Sequence, residues 1–140
     1  MMSFKLATSS GIKFDGEAYE VLVATKDGPI SIFEDHMPLI SAAQPGILSV
    51  RKKQGDSDSE MEQFAVKGGV VEADGKSVSF VSDDVTTSDE VSEQEAAAAV
   101  ARAEDLVKNA DSQVALHEAH RLLQHTSAQL HLARLKRRHH

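Results

Sequence analysis

The sequence predicts an α+β chain: a β-sandwich over residues 1–88, then an antiparallel two-helix hairpin over residues 89–140. Two observations carry this. Turn signals recur about every 8–12 residues through the first part, the spacing of sandwich or barrel strands. Near residue 90 the composition changes from Val, Ile, Phe, Ser, Gly and Asp to Ala, Leu, Gln, His and Arg, with no Gly and no Pro beyond it.

The strand series reads in order. Tyr19, Val21 and Val23 alternate with Glu20, Leu22 and Ala24, a half-buried pattern. Lys26-Asp27-Gly28-Pro29 signals a turn, and Ile30-Ser31-Ile32 alternates again. Gln44-Pro45-Gly46 reads as another turn, followed by Ile47, Leu48 and Val50. Residues 54–59 form a polar hairpin tip, and Phe64-Ala65-Val66 starts the return. Gly68-Gly69 breaks or bulges the chain before Val70-Val71, where a close approach or a positive φ is expected. Asp74-Gly75 between apolar runs is a two-residue hairpin signal, and Val78, Phe80 and Val81 close the series.

In the second part, Ser92-Glu93-Gln94-Glu95 fits a capping box with Ser92 as N-cap. Strong helix formers then run to about Lys108. Residues 109–112 make a short break, and a second helix runs from Gln113 to about Arg137. Leu116, Ala119, Leu123, Leu130 and Ala133 form one apolar stripe, interrupted by Thr126. A connection this short makes the helices antiparallel neighbours. The first helix offers mostly Ala for burial. Leu→Ala in a full core costs about 2–5 kcal/mol, so the hairpin is expected to be held marginally and to move.

Composition narrows the function. At 140 residues the chain fits one ordinary domain or a small domain with an appendage. There is no cysteine, which excludes disulfides, thiolate metal sites and a Cys nucleophile. No apolar run reaches the ~18 residues of a membrane span, so no direct membrane insertion is expected. The start, Met1-Met2-Ser3-Phe4-Lys5-Leu6, resembles neither a signal nor a transit peptide, so a reducing cytoplasm is expected. Aromatics at 4% and the absence of Trp argue against base-stacking on nucleic acid.

Charge is divided unevenly. Residues 1–118 hold all 22 acidic residues and ten Lys/Arg, a net of −12 within an overall −7. Residues 119–140 hold no acid and five bases: Arg121, Arg134, Lys136, Arg137 and Arg138. Such a tail either meets an acidic partner, complements its own acidic half, or completes the helix macrodipole.

No catalytic constellation emerges. His117 and His120 share a helix face, but they are two ligands where a stable zinc site wants three or four. His117-Glu118-Ala119-His120 falls one residue short of the zinc-protease spacing, and Arg121 occupies the completing position. No metal and no cofactor are therefore expected. Ser residues lack a Gly-x-Ser-x-Gly context, and no phosphate-binding Gly-rich loop is present. His36 before Met37-Pro38-Leu39 reads as a loop anchor. His139-His140 is compatible with a purification-tag remnant.

Three stretches then resemble a known family, the epsilon subunit of F-type ATP synthases (delta in mitochondria). They are residues 28–39, similar to Gly-x-x-Gly-Ile-x-Pro-x-His-x-Pro-Leu; Pro45-Gly46-Ile47-Leu48; and residues 64–72, similar to aromatic-x-x-x-Gly-Gly. Ser31 and Glu34 depart from the usual Gly and Pro of the first motif. The resemblance implies a non-catalytic rotor subunit on the cytoplasmic face of the inner membrane. Its sandwich would couple the gamma subunit to the c ring, with Asp27, Gly28 and Pro29 facing the ring. His36, Met37, Pro38 and Leu39 would lie at the rotor interface. It also implies a hairpin that rises along the stalk and inhibits ATP hydrolysis, with Arg121, Arg134, Lys136, Arg137 and Arg138 meeting acidic residues of the catalytic beta subunits. Some members bind ATP through Ile/Leu-Asp-x-x-Arg-Ala. Here Ser92 and Glu95 stand at the Asp and Arg positions, so no ATP binding is expected. The alternative is a free-standing β-sandwich adaptor whose basic C-terminal helix binds another acidic protein.

Overall fold

The computed structural model describes residues 1–138; His139-His140 lie outside the described residues. Eight strands precede two α-helices among these residues: β1 (Met2–Thr8), β2 (Gly11–Ala18), β3 (Glu20–Thr25), β4 (Gly28–Phe33), β5 (Leu39–Arg51), β6 (Glu62–Ala73), β7 (Ser77–Val81), β8 (Val85–Thr87), α1 (Glu93–Lys108) and α2 (Gln113–Arg138). The hydrogen-bonded order is β2-β1-β7-β6-β5-β3-β4, with β8 also on β6. The β1–β7 pair is parallel and the other pairs are antiparallel. The expected sandwich followed by a helical pair is what forms.

The sheet curls so that strands from both ends of this order share one core. Met2, Phe4 and Leu6 of β1, Val21 and Val23 of β3, Ile32 of β4, Phe64 and Val71 of β6, and Phe80 of β7 are all buried there. Phe14 of β2 closes it, its ring 5.5 Å from Phe4 and 6.2 Å from Phe64. The alternation identified from sequence begins at Tyr19; β1 and β2 precede it. Met2, Phe4 and Leu6 bury while Ser3 and Lys5 face solvent, a legible period of two. β2 carries no such period. It is an edge strand positioned by its register with β1.

Gln44-Pro45-Gly46 makes no turn. It lies inside β5, whose register with β6 runs unshifted from Leu39↔Ala73 to Val50↔Glu62. On the β3 side the ladder skips: between Leu22↔Ser49 and Thr25↔Ala43, three steps along β3 match six along β5. Proline lacks an N–H for the ladder and is tolerated at such a bulge. The Asp74-Gly75 hairpin forms one residue later than expected. Asp74 N–H bonds Ser77 O at 3.1 Å, which places Gly75 (φ +98) and Lys76 at the centre. Asp74 flanks the loop because its carboxylate accepts the N–H groups of Lys76 at 2.9 Å and Ser77 at 2.8 Å.

The helices start as expected. Ser92 Oγ accepts the Glu95 N–H at 3.3 Å, and Ser112 Oγ accepts that of Ala115 at 3.0 Å. They run antiparallel: Arg134 lies 3.8 Å from Glu93 at one end, and Leu106 and Leu122 share a cleft at the other. The buried residues of α1 are Ala96 and Ala103. On α2, Thr126 does not interrupt burial. It is itself buried, its hydroxyl donating to Leu122 O at 3.0 Å. A second buried stripe, His125, Ala128 and Leu132, packs α2 onto the sandwich. Ala128 and Leu132 meet Ala65 of β6, Ile47 of β5 and Val91.

Gly69 is the tightest backbone position. Its φ is +146, and a Cβ there would lie 2.3 Å from Val81 O and 2.8 Å from the Phe80 ring. Gly69→Ala is expected to cost more than about 2 kcal/mol. A urea midpoint unchanged from wild type would show that β6 can move away from β7.

Candidate interaction sites

The β3–β4 loop is a tight hairpin whose tip residues, Lys26 and Asp27, are exposed. Thr25 Oγ1 donates to Gly28 O at 2.6 Å, and Gly28-Pro29 opens β4. The His36 loop leaves the other end of β4. About 17 Å of strand therefore separates Asp27-Gly28-Pro29 from His36, at ~3.4 Å per residue. The two sequence-predicted surfaces stand at opposite ends of one strand.

The His36 loop is tied down from within and from the β6–β7 turn. His36 Nδ1–H donates to Met37 O at 2.7 Å, and its backbone N–H bonds Phe33 O at 3.1 Å. Asp35 adopts φ +67, its N–H bonds Gly75 O at 2.7 Å, and its carboxylate meets Lys76 Nζ at 2.7 Å. This carboxylate raises the Lys76 ammonium above its ordinary range. The Met1 amino group pairs with Glu34 at 2.6 Å and is raised by it. With its base fixed, the loop presents Met37, 77% exposed, and Pro38 to solvent, while Leu39 packs on the core.

A third surface is not apparent in the sequence. Direct cross-strand partners Ala42↔Val70, Val70↔Val81, Val81↔Ala7 and Ala7↔Ile12 align one row across β5, β6, β7, β1 and β2. Val70, Val81 and Ile12 of this row are exposed, as is Ile40 beside it. The available signal was the doublets Val70-Val71 and Phe80-Val81. In each, one residue fills the core and its neighbour faces outward on the period of two. An ordered run of exposed apolar side chains marks an interaction surface.

On the hairpin, α2 meets the sandwich through three polar contacts spaced by four residues. Arg121 Nη2 lies 3.5 Å from Lys67 O, His125 Nε2 lies 3.1 Å from Asp84 Oδ2, and Gln129 Nε2 lies 2.9 Å from Thr86 Oγ1. Arg134 is paired with Glu93, and Lys136 is half-buried beside Met61 and Glu62. Arg137 and Arg138 belong to the last turn of α2. His117 and His120 are exposed, whereas His125 is buried toward Asp84, so the three imidazoles do not converge.

The cleft between α1, α2 and the β8–α1 link is lined by Thr86, Glu90, Ser92, Glu95, Arg102 and Gln129. The Ser92 hydroxyl caps α1. Glu90 is held below the usual carboxylate range by the Thr87 hydroxyl, with Lys13 adding to it. Two carboxylates thus face one guanidinium, a poor lining for a polyphosphate.

The family described as ATP synthase, Delta/Epsilon chain, beta-sandwich domain, matches residues 1–88. The chain belongs to this ATP synthase delta/epsilon family. The ATP synthase epsilon chain of Dichelobacter nodosus is 32% identical over 101 residues, 72% of this chain and 68% of that one. The Staphylococcus aureus epsilon chain is 29% identical over 136 residues, 96% of this chain and 98% of that one. Among solved structures, a chain of the Euglena gracilis mitochondrial ATP synthase OSCP/F1/c-ring assembly superposes with a TM-score of 0.75 at 16% identity. That match covers 91% of this chain and 78% of the other. A chain of the Tetrahymena thermophila mitochondrial ATP synthase central stalk and c-ring gives 0.60 at 17% identity, covering 92% and 96%. These two share the fold. As a delta/epsilon family member, the chain is a subunit of an enzyme complex. Among the described residues, no helix is long and apolar enough to cross a membrane.

The Asp74 carboxyl is held below its ordinary range, chiefly by the backbone N–H groups of Lys76 and Ser77. Its folded pKa is depressed, so its contribution is present above the unfolded value of about 3.9 and lost as pH falls through the folded one. Amide resonances of Asp35, Lys76 and Ser77 are expected to move together below about pH 4. Asp74→Ala should abolish that transition and speed amide exchange at Asp35. Unchanged exchange at Asp35 would mean that the turn does not hold the His36 loop.

Proposed function

We propose that the chain is the epsilon subunit of the central stalk of an F-type ATP synthase, a non-catalytic rotor component that couples the gamma subunit to the c ring. The observation that supports this best is the exposed apolar row through Val70 and Val81, a stiff sheet face suited to a long apolar partner surface such as gamma. The Asp27-Gly28-Pro29 tip is the contact for the c ring, and the His36–Leu39 loop lies along the rotor interface. Sandwich and hairpin divide the work, residues 1–88 gripping the rotor and residues 89–140 regulating it. The complex then sits peripherally on the cytoplasmic face of the inner membrane.

The hairpin is a two-state element: docked on the sandwich, or extended along the stalk, where it inhibits ATP hydrolysis. Extension would carry Arg121, Arg134, Lys136, Arg137 and Arg138 to acidic residues of the catalytic beta subunits. Charge pairing of that kind steers docking and weakens with salt. The cleft at Ser92 and Glu95 does not sense ATP, since carboxylates stand where phosphate needs cations.

Three measurements test this reading. Val70→Glu with Val81→Lys, opposite charges on direct cross-strand partners, should weaken binding of purified gamma subunit at least tenfold without lowering the urea midpoint. Undiminished binding would remove this face from the rotor interface, and failure of the wild-type chain to bind gamma at all would favour the free-standing adaptor. Truncation after residue 88 should keep coupling in the assembled synthase and raise hydrolysis; unchanged hydrolysis would deny the hairpin an inhibitory role. Calorimetry should detect no ATP binding in the micromolar range.

A further inference from the structure

We infer that His125 and Asp84 form a latch that both holds the docked hairpin and limits how firmly it is held. The inference rests on the two-state hairpin proposed above. His125 is 4% exposed, the first residue of the α2 stripe that faces the sandwich. A carboxylate only accepts, so His125 Nε2–H donates to Asp84 Oδ2 across 3.1 Å. The backbone that carries the acceptor is held in place. Ser82 Oγ donates to Gly68 O at 2.5 Å and accepts the Asp84 N–H at 3.4 Å, and the Lys67 N–H bonds Asp84 O at 3.0 Å.

The other ring nitrogen has the opposite effect. His125 Nδ1 is buried with no hydrogen-bond partner among the described residues. Neutral, the ring leaves a lone pair unmatched there; charged, it leaves an N–H unmatched. Docking therefore strips Nδ1 of water and returns nothing, a penalty that disappears when α2 lifts away. The two partners of the hydrogen bond are unequal in consequence. The Asp84 side chain is 57% exposed and is served by water when the hairpin leaves. Around the latch the apolar cluster is limited to Ala65, Ala128 and Leu132 with Ile47 and Val91 half-buried beside them, so one unmatched polar atom counts in the balance.

Opposite responses to substitution are the signature. Asp84→Ala leaves both ring nitrogens buried and unmatched, and should favour undocking. His125→Leu removes the unmatched nitrogen while Asp84 turns to solvent, and should favour docking. An ordinary stabilising contact would make both substitutions loosen the hairpin. The chain contains no cysteine, so a spin-label pair at Lys53→Cys and Val114→Cys, both exposed, reports the docked and undocked populations in the full chain. Asp84→Ala should raise the undocked-to-docked ratio about tenfold, and His125→Leu should lower it by a similar factor. In the His125→Leu background, Asp84→Ala should have no effect. The inference is overturned if His125→Leu raises the ratio, if it leaves the ratio unchanged, or if Asp84→Ala still undocks the hairpin in that background. Hydrolysis by the assembled synthase is read in parallel. If truncation after residue 88 fails to raise it, inhibition is lost as a reading, while the population ratios still decide the latch.

Discussion

The antiparallel pairing of β5 with β6 keeps one register over the whole of both strands, and the remaining elements attach to it. β3 joins β5 and carries β4; the second half of β6 carries β7, which brings β1 and β2; the first half carries β8. Midway, the inward face of the pair changes parity. Phe64, Val66, Leu48 and Val50 point inward on even positions, then Val71, Ala73 and Ala43 on odd ones. The change falls where Pro45-Gly46 on β5 faces Val66-Lys67, and Gly68-Gly69 follows at once on β6. Both strands exchange their inward face together, without a slip in their mutual register, so this joint allows one pair of strands to serve both layers of the sandwich.

That joint also explains what sequence reading sees and misses. Pro-Gly and Gly-Gly do mark departures from regular strand, as their composition indicates. The departures are a bulge and a close crossing, because the partner strands continue past them in register. A turn and a bulge draw on the same residues and differ only in what lies across the ladder. The helices are legible because capping and composition are local: Ser92 and Ser112 act within one turn. β2 is obscure because its place is conferred by β1. The second stripe of α2 is obscure because it opens on a histidine, a residue that reads as polar.

The candidate surfaces divide in the same way. The Asp27 tip and the His36 loop were legible through turn residues and motif resemblance. Their separation along β4 was not, since distance is a property of the assembled sheet. The apolar row required cross-strand register, which places Val70 against Val81 and Val81 against Ala7. Each of these residues appears in sequence as an ordinary neighbour of a core position. Aligned by the sheet, they form a face that water solvates poorly and that a partner can cover.

The uneven charge of the chain acquires a structural meaning in the docked hairpin. Arg134 lies 3.8 Å from Glu93, and Arg121 reaches toward a backbone carbonyl instead of a carboxylate. An exposed ion pair of this kind is worth about 0–1 kcal/mol. Docking therefore gives the basic helix weak electrostatic satisfaction within its own chain. Under the proposed function, an acidic partner on the stalk competes against a short set of contacts: three polar contacts, one apolar cluster around Leu132, and a buried imidazole with one nitrogen unmatched. A deeper apolar seam would have made the docked state permanent. A seam without Asp84 or Leu132 would have left α2 without a defined seat. The mixture sets a free-energy gap narrow enough for a partner's differential affinity to decide, which is what a two-state element requires.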